Sequence, residues 1–99
     1  MFLSVSRFVV ANDLDEAVRE AFRNRLHLVD TVTGFVRMEV ANTIDNPKDF
    51  WLLTWWQDEE SFSTWHRSHA YQESHQGMPK GLKLDPAQTS LIRLEVFAE

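Results

Sequence analysis

Cysteine is absent from the 99 residues of this chain. That excludes a disulfide framework, thiolate chemistry and any cysteine-ligated zinc or iron–sulfur centre. No apolar run nears the roughly 18 residues that a membrane-spanning helix needs. The opening stretch, MFLSVSRFVV, has neither a basic leader nor a cleavage site. A secretory signal is therefore not expected, and a cytoplasmic protein is. Basic charge is scarce: 10 Lys and Arg stand against 15 Asp and Glu, a net charge of -5. Nucleic-acid binding wants a basic stripe, so no such partner is expected. There is no glycine-rich phosphate loop, no Ser-His-Asp arrangement, no defensible carboxylate pair, no internal repeat and no low-complexity segment.

Aromatic residues, by contrast, are plentiful. Four Trp and seven Phe are many for this length. They imply a large buried area per residue or a site for a flat ligand. The remaining composition, 43% apolar and 25% charged, is ordinary for a soluble protein. The length suits one domain, residues 1–99.

The most informative stretch runs from Phe50 to His75. Phe50 to Trp56 is an apolar run bounded by polar turns, which reads as a buried strand. Asp58 then supplies a helix cap, with Glu59 and Glu60 in the first turn where the helix dipole favours acids. That helix runs to about Arg67. Ser68 caps a second short helical piece ending near His75. Upstream, Phe2 to Val10 reads as a strand, with Phe2, Ser4, Ser6, Phe8 and Val10 on one face and Leu3, Val5, Arg7 and Val9 on the other. Asp13 and Glu16 have the spacing of a capping box. The 3.6-residue apolar period predicts a helix from there to Val32, ended by Gly34. Arg25 falls on its apolar face, either as a functional breach of pattern or as a side chain that snorkels its head into water. Phe35 to Thr43 is a strand with Val36, Met38 and Val40 on one face and Phe35, Arg37 and Glu39 on the other. Asp45 to Asp49 is a turn, since a strand is not expected to run through Pro47. Gly77 to Gln88 is a loop, and Thr89 to Phe97 the last strand.

The order β-α-β-β-α-β predicts an α+β fold of the ferredoxin-like, split βαβ kind: one antiparallel sheet with both helices on one face. The uncovered face should then be polar. Yet Trp51, Leu53 and Trp55 are as apolar as Leu52 and Trp56 on the opposite side. One helical layer cannot bury both faces, so a second copy packed sheet to sheet is expected, a homodimer.

Three histidines fall close together. His66 and His69, three apart, can share a helix face and hold a metal, although exposed helical histidines are common. His75 ends a helical piece where an imidazole can reach into a cleft, or simply face solvent. Trp65 lies on the inward helix face beside Phe62, where plain core packing also explains it.

The strand–helix segment, Leu-Thr-x-Trp-x-Asp-x-x-x-Phe-x-x-Trp followed ten residues later by His, resembles the antibiotic biosynthesis monooxygenase family. It is most similar to the haem-degrading monooxygenases of the IsdG type. Leu53, Thr54, Trp56, Asp58, Phe62, Trp65 and His75 carry the match, joined by Phe22, Arg25 and the Gly34-Phe35 pair. The resemblance implies a dimeric α+β barrel in which haem is both substrate and oxygen-activating cofactor. His75 is then the axial ligand to haem iron, Trp65 presses on the porphyrin, Arg25 faces the propionates and Phe22 lines the pocket. The reaction implied is oxidative opening of the tetrapyrrole with release of iron. One position departs from the pattern. The haem degraders carry an asparagine on the first strand, whose amide donates where oxygen reacts; the matching residue here is Ser6. A hydroxyl is shorter and its rotor less fixed, so slow turnover is expected. Two other functions fit the same fold: cofactor-independent oxidation of a polycyclic phenol, with Trp65, Trp55 or Trp56 and Tyr71 around it, and a non-enzymatic, stress-related dimer that binds a small aromatic molecule.

Overall fold

A computed structural model describes all 99 residues. Its strands are β1 (Phe2–Val9), β2 (Phe35–Thr43), β3 (Asn46–Trp56) and β4 (Ser90–Glu95). Its helices are α1 (Asp15–Arg23), α2 (Glu59–His66) and α3 (His69–Ser74), with 3₁₀ turns at Leu28–Thr31 and Pro86–Gln88. The strands form one antiparallel sheet in the order β2-β3-β1-β4. This is the expected split βαβ arrangement. No helix is long and apolar enough to cross a membrane.

Register places the side chains. Phe2 lies opposite Trp56, Ser4 opposite Thr54, Ser6 opposite Leu52 and Phe8 opposite Phe50. All of these face the helices, because strand side chains alternate sides. At one end, Phe2, Trp56, Phe62, Trp65 and Val29 form a buried cluster. At the other, Val10, Val18 and Phe50 form a second. Small polar residues occupy the middle, and the indole N–H of Trp56 donates to Thr54 Oγ1 at 2.9 Å, which satisfies a buried donor.

The opposite face is as apolar as expected. Leu3, Trp51, Leu53 and Trp55 are only partly covered, and Ile92 and Leu94 are 40% and 44% exposed. Arg7 forks onto Asp49 through two 2.9 Å hydrogen bonds while lying over the Trp51 ring. Arg37 sits 4.0 Å above the Trp55 ring, close enough for cation–π attraction.

The caps of α2 and α3 are the expected ones. Asp58 accepts from the Ser61 N–H at 2.8 Å, and Ser68 from the Tyr71 N–H at 3.1 Å. Helix α1 departs from expectation at both ends. The Asp13–Glu16 capping box does not form. Lys48, on β3, reaches Asp15 at 3.1 Å and also donates to the Asn12 carbonyl, so the helix starts at Asp15. It stops at Arg23, nine residues before Val32. His27 then adopts a left-handed conformation at φ 58° and the chain continues as a 3₁₀ turn. Side-chain hydrogen bonds from Arg25 and His27 to Asp30 favour this turn over a continued helix, and the β-branched Val29, Thr31 and Val32 are poor helix formers.

Two strand readings also need correction. A bulge between Phe35 and Arg37 turns Phe35 to the helix side with Met38 and Val40, not to the side of Arg37 and Glu39. Pro47 lies inside β3 after all. The ladder breaks there between Asn42 and Thr43, and the Asn42 amide donates to the carbonyls of Pro47 and Asp49 instead. Proline is tolerated at such an irregularity. The 77–88 loop is pinned to the end of β1, through Ala11 N–H to the Lys83 carbonyl and Asp85 N–H to the Val9 carbonyl.

Gly34 fixes where α2 sits on the sheet. Its φ is +89°, and a Cβ there would come within 2.2 Å of Ser61 Oγ and 2.5 Å of Ser61 Cβ. Gly34→Ala is expected to lower unfolding free energy by about 2–4 kcal/mol, the sum of left-handed strain and overpacking. Ser61→Gly in that background should restore only the overpacking share. Urea denaturation measures both, and an undiminished midpoint for Gly34→Ala would refute the close approach.

Candidate functional site

Between the two core clusters the helices stand off from the sheet over a cavity of about 580 Å³, within the range of small-molecule sites. Its floor is the middle of the sheet, where Ser4 and Ser6 from β1 and Thr54 from β3 are small, joined by Leu52 from β3, Met38 from β2 and Leu91 from β4. One wall is Phe22 and the turn after α1. The opposite wall is Trp65, His66, Tyr71 and His75, and the 77–88 loop closes a side with Met78, Leu82 and Leu84.

All five residues singled out from the sequence lie around this one cavity: Ser6, Phe22, Arg25, Trp65 and His75. They come from four elements and a turn. Ser6 sits on the floor opposite Leu52 and Leu91. Phe22 packs in a trio with Phe8 and Phe50, at centroid distances of 6.3 and 6.2 Å. Trp65 is both core and wall: only 7% exposed, it meets Tyr71 edge to face at 5.9 Å. Arg25 is not on a helix face. It follows α1 and forks onto Asp30 with bonds of 2.8 and 3.4 Å. Its apparent breach of helical pattern has a simple origin, since the helix has already ended.

His75 occupies the C-cap of α3. Its Nδ1 lies 2.8 Å from the Tyr71 carbonyl oxygen. A carbonyl only accepts, so the neutral ring carries its proton on Nδ1 and Nε2 keeps the lone pair. That is the state a metal-ligating imidazole needs, with its other ring N–H donated to a carbonyl as such ligands usually have it. Its ring meets Tyr71 at 4.4 Å, and the His66 ring also meets Tyr71, at 4.6 Å. Burial raises the Tyr71 phenol above its ordinary pKa, so it stays neutral.

His66 and His69 do not act together. They lie on successive helices, and His69 pairs with Glu73 at 2.9 Å in solvent. No group of three His, Cys, Asp or Glu side chains is placed to hold a metal ion.

The lining holds no Asp, Glu or Lys; its charge-bearing groups are Arg25 and three imidazoles. In a chain of net charge -5, that is a marked local exception. Leu52, Thr54 and Met38 were not singled out from the sequence as site residues. Strand alternation from Ser6 and Thr54 was the signal that could have found them. Asp30 was missed because the helix seemed to run through it.

The family model for antibiotic biosynthesis monooxygenases matches residues 1–77. The chain belongs to the antibiotic biosynthesis monooxygenase family. Staphylobilin-producing haem oxygenases of Staphylococcus haemolyticus and Staphylococcus saprophyticus are each 30% identical to it. The first aligns over 82 residues, 81% of this chain and 78% of the relative. The second aligns over 83, 74% and 77% respectively. Among solved structures, the haem degrader MhuD from Mycobacterium tuberculosis, with two haems bound in its active site, superposes at a TM-score of 0.76. It is 20% identical, with 100% of this chain and 98% of MhuD covered. SnoaB, a cofactor-independent oxygenase from Streptomyces nogalater, superposes at 0.77 with 14% identity, covering 99% and 94%. At such identities the superpositions establish the fold, and this family's fold serves both kinds of chemistry.

Because Trp65 closes the core as well as the cavity, its truncation should cost stability before anything else. Trp65→Ala is expected to lose about 3–5 kcal/mol, the usual cost of emptying a large core site. Trp65→Phe should lose much less and keep the cavity wall. Thermal and urea unfolding distinguish the two, and near-native stability of Trp65→Ala would show that the indole does not bear on the core.

Proposed function

We propose that this protein binds haem in the cavity and acts as a haem-degrading monooxygenase, opening the tetrapyrrole with release of iron. The observation that carries the reading is His75: an imidazole on the cavity wall whose Nδ1 is committed to the Tyr71 carbonyl, leaving Nε2 for iron. The donor set fits the group. The cavity is large, mostly apolar and free of carboxylates, and Arg25 stands in its lining to meet propionates. The 30% identical haem oxygenases support the same reading.

Bound haem supplies both the macrocycle that is oxidised and the iron that activates oxygen. The chain supplies the rest. His75 would hold the iron, and the Tyr71 carbonyl fixes the tautomer and orientation of that imidazole. Trp65 would press on the macrocycle, and Phe22 would line the pocket and help exclude water. Ser6 is the hydroxyl donor where the haem degraders have an amide. Its shorter reach favours slow turnover, since transition-state charge is stabilised only by donors already in place. Ser6 is also the feature that most favours the second reading, cofactor-independent oxidation of a flat phenol in the same cavity, to which the similarity with SnoaB adds support.

A hemin titration followed by ascorbate under air, with catalase present, tests the proposal. Wild type should give a Soret band that decays slowly, His75→Ala should lose the histidine-ligated spectrum, and Ser6→Asn should decay about tenfold or more faster. Absence of any Soret change in wild type would reject haem and favour the phenol reading. An unchanged His75→Ala spectrum would reject the ligand assignment.

The proposal includes a homodimer, with the open sheet faces of two copies packed together in the cytoplasm. Trp51, Leu53, Trp55, Ile92 and Leu94 form an apolar surface that a second copy would remove from water. Light scattering should give twice the chain mass at micromolar concentration. Trp55→Lys, which places a charge in that face, should dissociate it at a cost of several kcal/mol. A stable wild-type monomer would refute the dimer.

A further inference from the structure

We infer that Asp30 is a built-in counter-ion that sets how strongly the cavity prefers acidic over neutral flat ligands. The inference concerns the charge at the cavity mouth and does not depend on haem being the ligand. Arg25 is the only group in the lining that carries a full charge at every working pH. Asp30 lies outside the lining and cancels that charge. It takes Arg25 end-on, Nη1 to Oδ1 at 2.8 Å and Nη2 to Oδ2 at 3.4 Å, the fork geometry by which a guanidinium grips a carboxylate. His27, held by its left-handed backbone, adds Nδ1 at 3.1 Å from Oδ2. Arg25 and His27 therefore share one carboxylate. An incoming carboxylate or sulfonate must displace Asp30 from Arg25 or accept only its remaining N–H groups. A neutral aromatic of the same shape meets no such competition.

Asp30→Asn separates charge from placement. The amide oxygen can still accept from Arg25, so the side chain stays positioned while the negative charge is gone. The probes are 1-anilinonaphthalene-8-sulfonate and its uncharged parent, N-phenyl-1-naphthylamine, followed by fluorescence. Asp30→Asn should bind the sulfonate about threefold or more tighter at low salt, the scale of one partly exposed ion pair. The gain should shrink as salt is raised, and binding of the neutral parent should stay the same. Adding Arg25→Ala to Asp30→Asn should abolish the gain, which locates it at the mouth. Unchanged or weaker sulfonate binding by Asp30→Asn, or equal tightening of both probes, would overturn the inference. Wild type provides a check that needs no variant. With Arg25 already neutralised, its sulfonate affinity should barely depend on salt, and a steep loss with salt would count against Asp30 as counter-ion.

Discussion

The pairing of β1 with β3 is the constraint on which everything else in this structure depends. Strand side chains alternate, so the register that sets Phe2 against Trp56 and Phe8 against Phe50 also decides what lies between them. Ser4, Ser6 and Thr54 fall in the middle of the helix-facing side, with large aromatic rings at both ends. The rings hold α1 and α2 off the sheet at the ends, and the small residues leave the centre unfilled. The cavity is thus a result of residue size along two strands. A slip of β1 by one residue would turn Leu3, Val5 and Arg7 into the helical layer and the two serines out of it. Both the site and the apolar open face would be lost together.

The turn after α1 is the second determinant. A left-handed backbone at a histidine costs about 1–2 kcal/mol. It is offset by the hydrogen bonds that Arg25 and His27 make to Asp30, and by Val29, which the turn delivers to the cluster of Phe2, Trp56 and Trp65. Those bonds hold the Asp30 carboxyl below its ordinary range, with Arg25 the larger cause and His27 adding to it. A carboxylate whose folded pKa is depressed adds stability above its unfolded pKa and loses it as pH falls through the folded one. The wall of the cavity is therefore part of the core, and its ion pairs belong to the fold before they belong to any ligand.

Much of this was legible from residues acting on near neighbours. Asp58 and Ser68 cap helices three residues on, and alternation placed Ser6 with Phe8 and exposed the apolar character of both sides of β3. The failures came where a side-chain bond or a bulge, near or far along the chain, overrode the periodic pattern. The Asp13–Glu16 capping box gives way to a start at Asp15, which Lys48 grips from 33 residues away. The bulge at Val36 reverses the facing of Phe35, and the Asn42 amide lets a strand run through Pro47. None of these leaves a local periodic trace. The five candidate residues were assembled by family resemblance, because no spacing rule brings Ser6, Phe22, Arg25, Trp65 and His75 together; the fold does so through the strand register and the shortened α1.

Helix α3 joins stability to chemistry most directly. At six residues it is too short to persist alone, since helix nucleation is costly and tertiary packing must supply the stability. Its N-terminus is held by Ser68 and its middle by Tyr71, edge-on to the buried Trp65. Its last turn would leave carbonyls without partners. The His75 ring fills one of those needs by donating to the Tyr71 carbonyl, and the Ser74 hydroxyl donates to the same oxygen at 2.6 Å. The His75 ring bond therefore adds to the backbone cap at the Gln72 and Glu73 carbonyls and selects the imidazole tautomer. The lone pair on Nε2 follows from how the helix stops, and the placement of that nitrogen follows from the packing of Trp65 beneath Tyr71. Trp65 and the imidazole are two ring contacts apart, through Tyr71, so the packing of the indole bears on where the His75 ring sits.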